Sequence, residues 1–414
     1  MIALNSGNIA LSVKKTIHIY NASILNLPYE GNCLIQKIYI KGKSKVRYIY
    51  EFPDETLLCA TSSKIFRIKL IDNDTKFQII GFIKLSKSEM PTKLISLGNM
   101  ILLSLSEQKK LCNLKLFFKK NYLSDNNLNI NYDKYNISNQ NEEDDENEDD
   151  DDIFSNLNSN DTDVKNYFAK DLVKDDKEFI LYSKGNNNNL NIDKKLLCSI
   201  FEISKKCINN GDDNKFEFIT TSNHTYDLGC DRIEFYEVKK SNNELIIKRN
   251  KFIDNISCST EADSICQLND KFLCIGLQNF DLKGQVSGYA IIDVEKKEIS
   301  QIINDNEIYC LNFIKENKLL IAAMEVRNTD ENYKMIKIYN IIEKEEGNKI
   351  EFKKVCQYKS KHKDIINSII ELKAMNCAPN AQNNGFNDEK LNKRNIICAT
   401  SSIDKTLRII ETQI

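Results

Sequence analysis

The sequence predicts an all-β chain folded as a seven-bladed β-propeller of four-stranded antiparallel blades. Three observations carry this expectation. Apolar and polar residues alternate with a period of two along short segments, these segments recur near every fifty residues, and most are preceded by another apolar run. A period of two means strands, and two strands joined by a loop make a hairpin. A further apolar piece on either side of the hairpin brings the unit to four strands, and four strands repeated at this spacing read as propeller blades.

In chain order the alternating segments are TIHIYN, IFRIKL, NLKLFF, RIEFYE, YAIIDV, MIKIYN and LRIIE. Their equivalent bulky positions are Tyr20, Lys69, Phe117, Tyr236, Ile292, Tyr339 and Ile410, separated by 49, 48, 119, 56, 47 and 71 residues. Four of those six spacings lie near fifty, so the 119 and 71 mark insertions. The preceding strands include LLCATSS, FLCIGL, LLIAAM and IICATSS, and the outer pieces include SICQL before and EISQII after the Phe272–Val294 hairpin. The last unit shows three strands before Ile414, so the segment around Ile2 to Leu4 is expected to supply its fourth and close the ring, removing the exposed sheet edges.

Residues 124–176, rich in Asn, Asp and Glu, fill most of the longest gap and bury too little apolar surface to offset ordering, so disorder is expected there. EFILYSK then completes the third blade and LLCSIFEIS begins the fourth. A second insertion, 376–395, falls between the first two strands of the seventh blade. The domain reading is therefore one propeller over 1–414 carrying these two insertions.

The last unit, KHKDIINSIIELK followed after a spacer by IICATSSIDKTLRIIE, has the order His, strand, small-residue strand, Asp turn and terminal strand. In this it resembles the WD-repeat (WD40-like) family of propellers. The resemblance implies that His362, Thr400 and Asp404 hold the hydrogen-bond network between the inner strands of that blade, with Ile410 where Trp normally stands. Ile cannot donate a hydrogen bond, and elsewhere Tyr, Phe, Ile and once Lys take that position, so the chain resembles a degenerate member.

Composition bounds the function classes. The chain has 414 residues with 13 Gly, 4 Pro and no Trp, which excludes collagen-like and Gly/Pro-rich architectures. The net charge of −2 averages unlike parts: Glu142 to Asp152 holds ten acidic residues, and the remainder carries +8. The 13 cysteines are odd in number and sit in apolar runs, as packing positions of a protein in a reducing compartment. Cys258, Cys266 and Cys274 are evenly spaced but lack a fourth zinc ligand. No signal peptide or apolar run of about 20 residues is evident, so the protein is expected to be intracellular, cytoplasmic or nuclear, without a membrane span.

Chemistry is thinly represented. Three histidines, no GxxxxGK[ST] and no GxGxxG leave no enzyme site, cofactor or metal to expect. His18 reads as a strand surface residue, and His224 with Asp227 and Cys230 shares one loop without orienting neighbours. Three adjacent units instead lengthen the loop between their second and third strands, at 222–231, 278–287 and 325–334. These offer Tyr226, Arg232, Phe280, Lys283, Arg327 and Tyr333, a mixture of aromatic and basic groups suited to binding a partner. The expected function is a non-catalytic protein-interaction scaffold: a monomeric ring within a hetero-complex, with protein or peptide partners. The alternative is an RNA- or chromatin-associated propeller that binds nucleic acid through a basic face.

Overall fold

The computed structural model describes residues 1–413 except 7, 22–33, 41–44, 53–54, 71–75, 86–88, 98–99, 108–111, 120–178, 182–195, 204–214, 224–229, 242–243, 259–262, 279–285, 328–331, 345–348, 373–394 and 404–405. Among these residues the chain is all-β, multi-sheet and propeller-like, with one short 3-10 turn at Lys315–Asn317. Four-stranded antiparallel meanders follow one another along the chain. The first is β1 (Ile2–Ala3), β2 (Ile9–Val13), β3 (Thr16–Tyr20) and β4 (Leu34–Tyr39), and the second is β5 (Tyr48–Glu51), β6 (Leu57–Ala60), β7 (Lys64–Leu70) and β8 (Phe77–Lys84). The third is β9 (Glu89–Leu97), β10 (Met100–Glu107), β11 (Cys112–Lys119) and β12 (Phe179–Leu181).

The next eight strands form one sheet. It consists of the meander β13 (Leu196–Ile203), β14 (Lys215–Asn223), β15 (Cys230–Ser241) and β16 (Glu244–Cys258), joined to β17 (Ile265–Gln267), β18 (Phe272–Leu277), β19 (Gly288–Asp293) and β20 (Glu298–Asn304). A single residue pair, Cys258 with Leu277, links the two halves. A four-stranded sheet of β21 (Glu307–Ile314), β22 (Leu319–Arg327), β23 (Asn332–Lys344) and β24 (Lys349–Lys359) follows, and the chain ends in a three-stranded one, β25 (Ile366–Leu372), β26 (Asn395–Ser402) and β27 (Leu407–Gln413).

The alternating segments of the sequence are β3, β7, β11, β15, β19, β23 and β27, each third in its group. Their burial explains the pattern. Outer strands such as β20 alternate exposed and half-buried residues, whereas β6, β18 and β19 are buried throughout, because the middle strands have sheets against both faces. Apolar clusters join successive groups. Phe66 and Ile68 pack with Ile17 and Ile19, Leu94 of β9 packs with Leu58, and Ile233 and Phe235 pack with Ile275 and Ile292. Tyr289 packs edge-on against Tyr339 and Phe352, Ile338 packs with Ile369, and Ile9 packs with Leu372 and Ala399. Gly276 of β18 permits one close approach, since a Cβ there would lie 2.7 Å from Ile308 Cγ2 of β21.

One expectation is corrected. The segment at Ile2 is not a fourth strand for the last sheet: β1 pairs with β2 through Ile2–Ala10 and Ala3–Ile9. A turn with Leu4 N–H donating to Asn8 O (2.8 Å) makes this hairpin the nearest available partner, and the tie to the last group is instead Ser368 Oγ donating to Met1 O at 3.3 Å. β12 and β13 lie where EFILYSK and LLCSIFEIS were expected. The insertion at 124–176 lies outside the described residues, as does 376–394, while Asn395 already begins β26.

Candidate functional site

A cavity of about 610 Å³ is lined from the first strand of every group, β1, β5, β9, β13, β17, β21 and β25, with Arg47 and Asp263 from the segments entering β5 and β17. These strands adjoin in chain order, and β25 returns beside β1. Backbone and apolar side chains supply much of the wall, and a small charged set faces it.

Lys93 of β9 is the most deeply placed cation. Its side chain is 6% exposed, and Nζ lies 3.6 Å from Asp263 Oδ1 and 3.4 Å from Ser199 Oγ of β13. Burial pulls the Lys93 pKa below the usual lysine range, and Asp263 opposes that shift. Tyr50 of β5 shares a hydrogen bond of 2.7 Å with Ser96 Oγ, and burial raises both the Tyr50 and Tyr48 phenols. Glu202 of β13 is pushed up to about 7, again by burial.

That last shift has a sign. The folded value exceeds the unfolded one, so between about pH 4.5 and 7 the folded chain keeps a proton the unfolded chain has released, and stability falls as pH rises through this window. Glu202→Gln should therefore gain about 1–3 kcal/mol relative to the parent at pH 8, and nothing at pH 4, in paired urea titrations. An equal effect at both pH values would show that the carboxyl ionises normally.

The cavity can accept a polar or charged group, but among the described residues the ionisable side chains that line it are not linked as nucleophile, base and orienting group. Among the described residues no group of three His, Cys, Asp or Glu side chains is placed to hold a metal ion. Cys266 lies directly opposite Cys274, and both are buried free thiols. No helix among the described residues is long and apolar enough to cross a membrane.

Among the described residues, the Ile2 to Leu4 segment lines this cavity, whereas His362, Thr400, Arg232, Arg327 and Tyr333 do not. His362 is buried, with Nδ1 2.7 Å from Thr406 Oγ1 and Nε2 2.9 Å from Thr400 Oγ1, so it bridges the entry to β25 and the β26–β27 hairpin. Asp404, Tyr226, Phe280 and Lys283 lie outside the described residues, as does His224. His18 is half-buried between Thr16 and Tyr20, each 3.1 Å from a ring nitrogen. Arg232 is in β15 and only 9% exposed. It forms a two-pronged ion pair with Asp254, Nη2 lying 2.9 Å from Oδ2, stands 3.8 Å from the buried Glu234 and stacks over Phe252.

The stretch 325–334 is largely strand: Glu325, Val326 and Arg327 pair with Lys334, Tyr333 and Asn332. Arg327, 52% exposed, meets Glu307 at 3.0 Å and Glu325 at 3.5 Å, and Lys334 meets Glu325 at 2.6 Å. Arg327 and Tyr333 are thus brought onto neighbouring strands, while Arg232 belongs to a different group. The sequence expectations do not include Lys93 or Glu202, although each stands beside apolar residues in a first strand, in TKLISL and SIFEIS. A charge set among apolar neighbours is the available signal.

No family model and no curated protein sequence matches the chain. Among solved structures it is similar to a functionally unknown protein from Desulfotomaculum acetoxidans, with 7% identity, 97% of this chain and 94% of that chain covered, and a TM-score of 0.47. It is also similar to BBS1N in complex with ARL6DN, with 9% identity, coverages of 98% and 86%, and a TM-score of 0.44. A third likeness is to a protein from Lactobacillus plantarum, with 9% identity, coverages of 72% and 67%, and a TM-score of 0.38.

Proposed function

We propose that the seven strand groups are the blades of one closed WD-repeat-like propeller, and that the protein is a non-catalytic protein-interaction scaffold, a subunit of a larger intracellular complex. The observation that carries this reading is the cavity wall, which takes one first strand from each group, in chain order, with the last beside the first. A ring built so turns the first-strand edges onto the central cavity and directs every connection to one of two end faces, where a rigid body presents loops to partners. The bridge from His362 to Thr400 stands at the positions that the family resemblance assigns to its inner-strand network.

The test is size-exclusion chromatography of the tagged chain extracted from its own cells, with and without nuclease. A stoichiometric protein complex that survives nuclease is expected. Elution as a lone monomer, or a complex that nuclease dissolves, overturns the scaffold reading, and the second outcome favours a nucleic-acid-binding propeller.

A further inference from the structure

Charge is unevenly divided between the two strand ends of the adjoining groups β25–β27, β1–β4 and β5–β8. At the end where second strands turn into third strands, the last two of these groups carry Lys14, Lys45, Arg47, Lys64 and Lys84. The turns that bear them are hydrogen-bonded into one surface: Val46 N–H donates to Lys14 O (2.7 Å), Arg47 N–H to Ala60 O (2.8 Å) and Leu85 N–H to Ser63 O (2.7 Å). The β25–β27 group adds Lys361, Lys363 and Arg408 at the same end, with Arg408 Nη2 donating to Lys361 O at 3.0 Å. Among the described residues Asp364 is the one acid at this end of the three groups, and its carboxylate is engaged by the Ile365 N–H at 2.7 Å.

The group β21–β24 differs at its corresponding end, where Arg327 and Lys334 are met by Glu307 and Glu325. Here, by contrast, Lys64 stands directly opposite Lys84 in the β7–β8 ladder; the Phe82 ring, 4.2 Å from Lys64 Nζ, offsets part of that like-charge repulsion and an anion would offset more. Two aliphatic side chains stand at the same turns, Val13 at 37% and Ile403 at 50% exposure.

We propose that this end binds an acidic peptide segment with interspersed apolar residues, supplied by a partner protein; this rests on the scaffold reading and specifies its partner's chemistry. Carboxylates offset the lysines while aliphatic or aromatic side chains cover Val13 and Ile403. A phosphodiester backbone would meet the cations but offers nothing to those two side chains. The rings near this end, Tyr39, Tyr48 and Phe82, are partly buried in place of standing free for base stacking.

The test uses fluorescence anisotropy on the full chain with three labelled probes of matched charge: an acidic peptide with Leu and Phe spaced through it, a polyglutamate peptide, and a duplex RNA. Each is also measured on a chain with the Glu142–Asp152 acids replaced by Asn and Gln, to remove an acidic competitor in the same molecule. The mixed peptide is expected to bind most tightly. Lys45→Glu, Lys84→Glu and Lys361→Glu combined should weaken it at least tenfold with an unchanged circular dichroism melt. Val13→Ser with Ile403→Ser should weaken the mixed peptide severalfold and leave polyglutamate unchanged. No binding to either chain, affinity untouched by the triple reversal, or RNA bound as tightly as the mixed peptide overturns the proposal. Since these outcomes do not depend on what co-elutes from cells, the scaffold reading stands or falls separately.

Discussion

Arg232→Glu is expected to lower the unfolding free energy by about 3–5 kcal/mol, the cost of setting a second carboxylate against the wholly buried Glu234 and breaking the half-buried pair with Asp254. The residue is nearly buried, and its guanidinium is shared by Asp254 and Glu234 while it covers the Phe252 ring. Glu234 is wholly buried and is otherwise held by Arg249 Nη1 at 3.1 Å and by the Tyr236 hydroxyl donating at 2.8 Å. A glutamate at 232 would place a third carboxylate beside Asp254 and Glu234, and at the buried Glu234 little water screens the repulsion. Urea denaturation followed by tyrosine fluorescence measures the loss. Arg327→Glu is the comparison: that side chain is half exposed, and its pairs with Glu307 and Glu325 are worth about 1 kcal/mol or less. Equal effects at the two sites would mean that Arg232 is solvated. The contrast also bears on partner binding, because a charge reversal at Arg232 weakens any interaction through loss of the fold, whereas one at Arg327 reports on the surface.

Tyr289→Ala should cost about 3–5 kcal/mol, the range for deleting a buried aromatic ring from a packed core. Tyr289 is fully buried in β19 and lies edge-on to two rings of the neighbouring group, 5.8 Å from Tyr339 and 4.9 Å from Phe352, centroid to centroid. Its loss leaves a cavity between two sheets as well as within one. Tyr289→Phe separates ring from hydroxyl. The buried hydroxyl interacts with the Tyr339 hydroxyl but falls short of good hydrogen-bonding geometry, so removing it should change stability by about 1 kcal/mol or less. A large loss in the Phe variant would show that the hydroxyl is bonded in solution, and tolerance of the Ala variant would mean that the two sheets do not depend on this contact.

Strand positions were legible because a strand buried on one face writes its period directly into the residues. TIHIY reads Ile17 and Ile19 in and Thr16 and His18 outward, and the structure buries the two isoleucines. The wholly apolar runs LLCA and FLCIGL marked second strands for a related reason, since a strand covered on both faces has no polar positions. The binding loops were less legible. The stretch 325–334 reads as a loop from its place between the second and third strands of its unit, yet Arg327, Lys334 and Glu325 pair with one another across a ladder that continues to Asn332. Arg232, expected among the partner-binding groups, is instead nearly buried and shared between Asp254 and Glu234.

The alternating strands, their order and their grouping into repeated hairpins are written in the residues, because they follow from local alternation and short connections. Which strand the Ile2 segment joins, which charges neutralise one another, and which first-strand residues share a cavity emerge only on folding. Those outcomes depend on contacts between residues far apart in sequence: Lys93 with Asp263, Tyr289 with Tyr339, Met1 with Ser368. No period in the sequence records such pairs, since each partner satisfies its local strand pattern equally well with or without the other.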